Sequence, residues 1–294
     1  MAEDMGSTVP RRQLGRALRQ LRTEAGATLD AAAEALECSR QKVWRIESGL
    51  GAVRSLDVRA MCQLYDASPE LTGALIGLAT ETKAKGWWHA YGDAIPDWFE
   101  LYVGLESAAS RLRFYKNTLV PGLLQTRRYA LGIYRIDQPE MSEEDREQAV
   151  ALRLQRQSLL TRRLPRAPRV QVVICESVLL RPVGDASVMA EQLRHLLEVT
   201  DLPNVSLRVL PLAAGPHLGA VGGEFVMLEF PPGNRNTPEP AVVYCESWTG
   251  ALYLDRPNEF AAYERVCTSL GQIALDEGQS KNMISKILGE VHHG

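Results

Sequence analysis

The side chains best suited to recognising another molecule lie in residues 28–49, TLDAAAEALECSRQKVWRIESG. This stretch predicts two short helices joined by a tight turn at residues 37–38. In the second of these helices Val43 and Ile46 lie three residues apart and face inward. Arginine side chains hydrogen-bond guanine and glutamine side chains hydrogen-bond adenine in the major groove of DNA. Arginine and glutamine side chains are among those on the outer surface of the helix. This surface carries Arg40, Gln41, Lys42, Trp44 and Arg45.

Other elements must hold this helix pair in position. A helix over residues 11–25 precedes the pair and ends at Gly26. Thr28 and Ser39 are good N-caps, because their hydroxyl oxygens accept a hydrogen bond from a free backbone N–H in the first turn. The buried stripe of the preceding helix is expected to consist of Leu14, Leu18 and Leu21.

Two more helices complete an N-terminal domain. Ser55 is expected to cap the fourth helix, which runs to Tyr65 with Leu56, Ala60 and Leu64 inward. A fifth helix runs over residues 69–83. The composition changes near residue 83, so we expect one domain over residues 1–83 and a second over residues 84–294.

Five short helices, with the second and third joined by a short turn, resemble the Xre family, the lambda- and 434-repressor type of helix-turn-helix. The resemblance implies an all-α, five-helix, lambda-repressor-like domain whose third helix enters the major groove. It is carried by Thr28 at the cap, Ala32-Ala33, Leu36, Ser39, Val43, Ile46 and the closing Glu47-Ser48-Gly49.

The resemblance also implies roles for individual residues. Its base-contacting positions are occupied here by Arg40, Gln41 and Arg45. The candidate contacts to the DNA backbone are Thr28, Ser39, Lys42, Trp44 and Arg54. For Trp44, contact with thymine methyl groups and packing over the neighbouring helix are open alternatives. The sequence departs from the family at Leu29, where the family often has a glutamine that contacts a phosphate.

The charge of this region is low for a DNA-binding domain. Residues 1–60 hold ten Arg plus Lys against eight Asp plus Glu, a net charge of +2. One such domain is expected to bind weakly, so we expect a homodimer on a two-fold DNA site. The alternative is that the exposed arginines form an ordinary solvated face of a structural helical domain.

Bulk properties narrow the class of protein. The 294 residues carry a formal net charge of -3, so any binding to double-stranded DNA depends on a local patch. The five cysteines are widely spaced and odd in number, which argues against a disulfide framework or a zinc site. We also expect no cofactor. No apolar run reaches the roughly 18 residues of a membrane span. We expect a cytoplasmic protein without contact to a membrane.

The second domain is expected to be a mixed α/β (α+β) fold with a sheet of about five strands. A long helix begins after Ser142, and helices over residues 186–200, 256–277 and 279–291 are also expected. The expected strands cover residues 170–176, 205–210, 224–230, 241–247 and 249–255, and the last two are close enough for a hairpin.

The order of segments resembles actinobacterial Xre-type regulators with a large C-terminal domain of unknown function, often described as Scr-family, toxin–antitoxin-like transcriptional regulators. The resemblance implies a repressor or antitoxin whose usual partner is a small BldB-like protein encoded nearby. It spans nearly the whole chain, and its matching stretches are FY with LVPGLLQT, VVICES, NVSLRVLP, GPHLGAVGGEF, MLEF, VVYCES, GALYLD and SKNMISKIL.

The C-terminal residues with catalytic side-chain types form no familiar motif. Glu176 and Glu246 each follow a strand as Cys-Glu-Ser, which places two carboxylates at one edge of the sheet for acid–base work or metal binding. His217 lies in a glycine-rich loop. We expect no enzyme and no metal site; the alternative is a metabolite-sensing or enzyme-like pocket that uses these three residues.

A run of basic residues without acidic ones covers residues 153–169. Its candidate contact residues are Arg153, Arg156, Arg162, Arg163 and Arg166. A solvated helix face, extra phosphate contacts and a docking site for an acidic partner protein are the open alternatives. The last helix carries an apolar stripe for core packing or for a dimer or partner surface, formed by Met283, Ile284, Ile287, Leu288 and Val291.

Overall fold

A computed structural model of the chain describes residues 8–49, 53–81, 97–231, 240–248 and 250–292. The chain divides into two units, residues 1–90 and 91–294. The domain boundary expected at residue 83 lies outside the described residues. In the part of the chain that the structure describes, an N-terminal set of helices is followed by a mixed α/β domain, as the sequence predicted.

Five helices form the N-terminal unit, and their bounds agree closely with the predicted ones. The N-caps are confirmed, because Thr28 Oγ1 accepts from Ala31 N at 3.1 Å and Ser39 Oγ accepts from Lys42 N at 3.2 Å. The helices are α1 (Thr8–Glu24), α2 (Leu29–Ala35), α3 (Arg40–Glu47), α4 (Ser55–Leu64) and α5 (Pro69–Glu81).

The buried face of α4 differs from the predicted one. Leu56 is 71 % exposed and Leu64 is 39 % exposed, and Ser55 is the first helical residue rather than the cap. Two apolar stripes on α4 both have helical spacing, so periodicity alone does not choose between them. The structure buries the other stripe, which consists of Val58, Met61, Cys62 and the following Tyr65.

The first and third helices cross at a very short distance. A Cβ atom on Gly15 would lie 2.4 Å from the carbonyl oxygen of Ile46 and 2.9 Å from that of Glu47. Only glycine fits there, because the atoms that it meets belong to the backbone. Leu14 and Leu18 on the two sides of this glycine are fully buried in the same core as Ile46. The crossing therefore fixes the position of the C-terminal end of α3.

The C-terminal unit is built on one six-stranded mixed sheet. Its strands lie in the order β3-β2-β1-β4-β5-β6, with β1, β2 and β3 parallel and the other pairings antiparallel. The strands are β1 (Arg111–Lys116), β2 (Arg169–Cys175), β3 (Val205–Leu210), β4 (Phe225–Glu229), β5 (Val242–Ser247) and β6 (Gly250–Leu254). The helices are α6 (Asp97–Ala108), α7 (Arg127–Asp137), α8 (Glu143–Arg156), α9 (Glu176–Leu180), α10 (Ala186–Val199), α11 (Leu218–Gly222), α12 (Pro257–Ile273) and α13 (Glu277–His292).

Both faces of this sheet are packed against helices. On one face Tyr115, Met227 and Val243 share a core with Leu270 of α12. Successive strand residues point to opposite faces, so Tyr244 faces the other way. There its ring lies 4.3 Å from that of Tyr102 on α6, measured between ring centroids.

The segment around α13 closes the β3 edge of the sheet. Val209 N donates to Ser280 Oγ at 2.9 Å, and Val209 O accepts from Leu275 N at 2.9 Å. Ile284 and Ile287 are buried, which assigns these two residues of the apolar stripe on the last helix to core packing, whereas Met283 and Leu288 are half-buried. The backbone N–H and C=O groups of Val209 are thus both satisfied within the chain, which protects this part of the edge strand from pairing with another chain.

The close crossing of α1 and α3 can be tested by adding one methyl group. Gly15→Ala is expected to destabilise the N-terminal unit by about 1–3 kcal/mol, because the methyl group overlaps two carbonyl oxygens. Gly73→Ala on α5 is the matched control: its Cβ would meet nothing within 4 Å, and the change should stabilise the unit by about 0.5–1 kcal/mol. Thermal unfolding measures both values, and equal stabilities of the two variants would contradict the crossing.

Candidate nucleic-acid interface

The third helix separates a buried face from an exposed polar face. Val43 and Ile46 are 0 % and 1 % exposed and anchor α3 in the core. On the other side Arg40, Gln41 and Arg45 are exposed, as predicted for residues that contact bases. The side chain of Arg40 is 67 % exposed and lies 3.8 Å from Asp30. That surface pair is weak, so it leaves the guanidinium of Arg40 available to a ligand.

An ion pair fixes the far end of α3 to α1. Arg22 Nε lies 2.7 Å from Glu47 Oε1, and Arg22 Nη2 lies 2.9 Å from Glu47 Oε2. The third guanidinium nitrogen of Arg22, Nη1, donates to Ala27 O at 3.0 Å. The hydrogen bond to Glu47 raises the pKa of Arg22. This two-pronged contact is largely buried, with 4 % of the Glu47 side chain exposed, and it sets the direction of the helix.

The cations predicted to contact phosphates share one acidic partner. Lys42 Nζ lies 3.8 Å from Asp57 Oδ2, and Arg54 Nη2 lies 3.2 Å from Asp57 Oδ1. The hydrogen bond to Asp57 raises the pKa of Arg54. A phosphate group at this position would therefore compete with an existing carboxylate. The hydroxyl groups of Thr28 and Ser39 are already used as helix caps.

A shallow recess opens between the first residue of α2 and the first turns of α3. Its volume is about 410 Å³, and it is lined by Leu29, Arg40, Gln41 and Trp44. Trp44 is 50 % exposed there. The sequence analysis left Trp44 between the DNA backbone, thymine methyl groups and the neighbouring helix, and it gave Leu29 no role. The departure from the family pattern at Leu29 was the signal for this recess.

The basic run in the C-terminal unit does not form one surface. Arg156 is buried and ion-paired with Glu106, at 2.8 Å and 2.9 Å, and its guanidinium lies over the ring of Phe99. Arg153 donates to Gln125 Oε1 at 2.6 Å and is half-buried. These contacts remove Arg156 from the candidate partner or DNA surface, because its guanidinium is needed to neutralise a buried carboxylate.

The later part of the run divides in the same way. Arg162 donates to the backbone oxygen of Ser107 at 2.5 Å. By contrast, Arg163 and Arg166 are exposed, and Leu164 between them is 92 % exposed. Within the basic run, these three residues form an exposed loop, and Arg169 at the start of β2 is exposed as well.

Two of the three residues considered for a ligand pocket, Glu176 and Glu246, are not brought together. Glu176 Oε2 accepts from Leu212 N at 2.8 Å, and His217 Nδ1 accepts from Ala220 N at 3.2 Å. Strands β2 and β5 end at the same edge of the sheet, as expected, but β1 and β4 lie between them. Three strand spacings separate Glu176 from Glu246 by about 14 Å, too far for one metal ion or one acid–base pair.

A carboxylate at this same edge was missed by the sequence reasoning. Glu224 Oε1 accepts from Asn117 N at 2.8 Å and from Thr118 N at 2.7 Å, and Lys116 Nζ lies 3.0 Å from Glu224 Oε2. Burial raises the pKa of Glu224, but Lys116, the Thr118 hydroxyl and the Asn117 amide together outweigh it and lower the pKa below its ordinary value. Glu224 therefore holds the turn after β1, and no sequence motif marks it.

The described residues contain no helix long and apolar enough to cross a membrane. Within the same residues, no three His, Cys, Asp or Glu side chains are grouped so that they would hold a metal ion.

The lowered pKa of Glu224 predicts a pH-dependent contribution to stability. A carboxylate with a depressed folded-state pKa stabilises the fold above its unfolded pKa of about 4.3, and this contribution is lost as the pH falls through the folded value. Glu224→Gln should thus cost about 1–3 kcal/mol at pH 7, and the difference from the wild type should shrink below pH 4.

Urea unfolding at pH 7 and at low pH measures this effect. Glu140→Gln, an exposed position, serves as the matched control and should change stability little at either pH. A difference between Glu224→Gln and the wild type that is the same at both pH values would rule out the ionised carboxylate as its source.

Two protein-family models match the chain, one in each of the two structural units. A family model described as a helix-turn-helix domain matches residues 13–75. A second model, described as a domain of unknown function (DUF5753), matches residues 99–286, which is more than half of the chain. No curated protein and no solved structure matches the chain. A helix-turn-helix domain indicates DNA binding and transcription regulation. The chain belongs to the DUF5753 family and carries a helix-turn-helix domain N-terminal to that region.

Proposed function

We propose that this protein is a sequence-specific transcriptional regulator of the Xre type that binds double-stranded DNA through α3. The observation that carries the proposal is the exposed row of Arg40, Gln41 and Arg45 on a short helix whose opposite face is fully buried. Guanidinium and amide groups on a rigid helix are what major-groove recognition requires. Contacts from Lys42 and Arg54 to phosphates then set the register of the helix on the duplex.

The proposal includes a homodimer. Each of the cations Arg40, Lys42 and Arg54 has an acidic neighbour, so the electrostatic attraction of one unit to DNA is small. Two units on a two-fold site add their binding free energies and reach the affinity that specific regulation requires. We assign the dimer contacts to the C-terminal unit.

We further propose that the C-terminal unit is a non-catalytic regulatory domain, in a repressor or antitoxin controlled by a small BldB-like partner protein. Support comes from Glu176 and His217, each of which accepts a hydrogen bond from a backbone N–H group of its own unit. The exposed loop with Arg163, Leu164 and Arg166 offers two guanidiniums around an apolar side chain. Such a composition suits a partner with an apolar contact and an acidic rim. The partner would act by changing the availability of the two reading helices.

Base contacts by α3 are tested by single alanine substitutions. Arg40→Ala and Arg45→Ala should each weaken binding to a specific site by about 1–3 kcal/mol and relax the preference at one base pair, because a bidentate contact to guanine is lost. Fluorescence anisotropy with specific and scrambled duplexes measures both quantities. Arg59→Ala, on the exposed surface of α4, removes the same charge and serves as the control.

The control separates base recognition from general electrostatics. Arg59→Ala should lower the affinities for specific and scrambled duplexes by the same small factor. If Arg40→Ala and Arg45→Ala behave as Arg59→Ala does, the assignment of α3 to the major groove is wrong.

The role of the exposed arginine loop is tested by Arg163→Gln with Arg166→Gln. If the loop docks a partner protein, co-purification of the partner should be lost while the slope of DNA affinity against salt concentration stays unchanged. The slope is diagnostic, because each lost phosphate contact would reduce it by about one. Arg128→Gln with Arg135→Gln on α7 removes two charges elsewhere in the same unit as a control. A reduced slope with intact partner binding would assign the loop to DNA.

A further inference from the structure

We propose that the recess between α2 and α3 receives the 5-methyl group of a thymine, so that Leu29 and Trp44 select an A·T base pair within the DNA site. This inference rests on the proposed function, since it assigns a base preference to the same surface. It adds two apolar specificity residues to the polar residues Arg40 and Gln41.

The lining of the recess is mostly apolar, with a smaller polar part. Leu29 and Trp44 supply apolar surface, and Arg40 and Gln41 supply hydrogen-bond donors. In the major groove of unmodified DNA, the thymine methyl is the only apolar group that a base pair presents. Next to it lie acceptors, the O4 of thymine and the N7 of a neighbouring purine. A mainly apolar surface bordered by hydrogen-bond donors therefore matches a thymine beside a purine better than it matches any G·C pair alone.

The exposure of Trp44 supports an apolar ligand. Half of this side chain is in contact with solvent, although the residue lies on a helix whose other outward side chains are polar. Its indole does not belong to the buried core that Val43 and Ile46 form. Covering that surface with a methyl group removes apolar area from water, which contributes favourably to binding.

Leu29 provides the fixed wall of the recess. It is partly buried and packs against the core of the N-terminal unit, and the preceding Thr28 holds the start of α2 through its cap. A glutamine at this position would offer a polar side chain for a phosphate. Leucine cannot make that contact, and its apolar side chain faces the same recess as Trp44.

The inference is tested by removing the thymine methyl group without changing any hydrogen-bonding atom. A DNA site is first selected from random duplexes with the full-length protein. Each thymine in one half-site is then replaced by uracil, and the affinity is measured by fluorescence anisotropy. One replacement should weaken binding by about three- to fivefold, the factor expected for one buried methyl group.

Two variants assign the effect to the recess. Trp44→Ala and, separately, Leu29→Gln should bind the thymine and uracil duplexes with nearly equal affinity. Leu64→Ala, which truncates an exposed leucine on α4, should keep the full preference for thymine. Circular dichroism checks that each variant is folded, and having two variants keeps the test valid if one of them is unstable.

The outcomes separate this inference from the proposed function. A selected site at which no uracil replacement changes the affinity would overturn the thymine assignment and leave sequence-specific DNA binding intact. Equal weakening of all duplexes by Trp44→Ala would show that the indole packs against the sugar-phosphate backbone, and would also overturn it. Failure to select any sequence would overturn the proposed function and this inference together.

Discussion

The direction of α3 depends on one contact, the paired hydrogen bonds between Arg22 and Glu47 at the end of the helix. Glu47 is nearly buried, and removing its partner would leave an uncompensated carboxylate, which is strongly destabilising in proteins. The close approach at Gly15 holds the same end of α3 by shape. With this end fixed by charge and by packing, the first two turns of α3 carry their polar side chains on a rigid support. Such rigidity is needed for base readout, because a loose helix would lose the geometry of bidentate hydrogen bonds.

Charge has a different use in the C-terminal unit. There the guanidinium of Arg156 neutralises a buried glutamate, and Lys116 helps to hold Glu224 ionised at the edge of the sheet. A run of arginines in the sequence therefore contains both internal structural cations and exposed ones. The loop around Leu164 keeps the surface character that a binding site for another macromolecule requires. The fold of this unit explains its stability. We place its contacts with other macromolecules at the exposed loop.

Much of the helix-turn-helix could be predicted because its signals are local. Thr28 and Ser39 cap their helices through side-chain oxygens three residues away from the N–H groups that they bind, and such pairs are visible in a sequence. The strand β1 was missed, because Arg111, Arg113 and Lys116 interrupt its apolar pattern. Their charges are balanced by Glu229, Glu264 and Glu224, which lie more than 100 residues away in the chain. The sheet therefore has six strands where about five were expected.

The candidate site could be predicted only in part, because some of its contacts join residues that lie far apart in the sequence. The polar face of α3 follows from helical spacing, whereas the recess requires Leu29 of one helix to meet Trp44 of another. Likewise, the burial of Arg156 depends on Glu106, 50 residues earlier. Long-range contacts of this kind follow from the packing of elements, which periodicity does not determine.

The central claim is that two copies of α3 read a two-fold DNA sequence. Selection of random duplexes by the full-length protein at near-physiological salt, followed by sequencing, tests it most directly. If two copies of α3 bind, we expect enrichment of an inverted repeat whose half-sites are centred about one helical turn, or a multiple of it, apart. If no sequence is enriched and the affinity depends only on salt concentration and duplex length, two-fold recognition of a DNA sequence by α3 is contradicted.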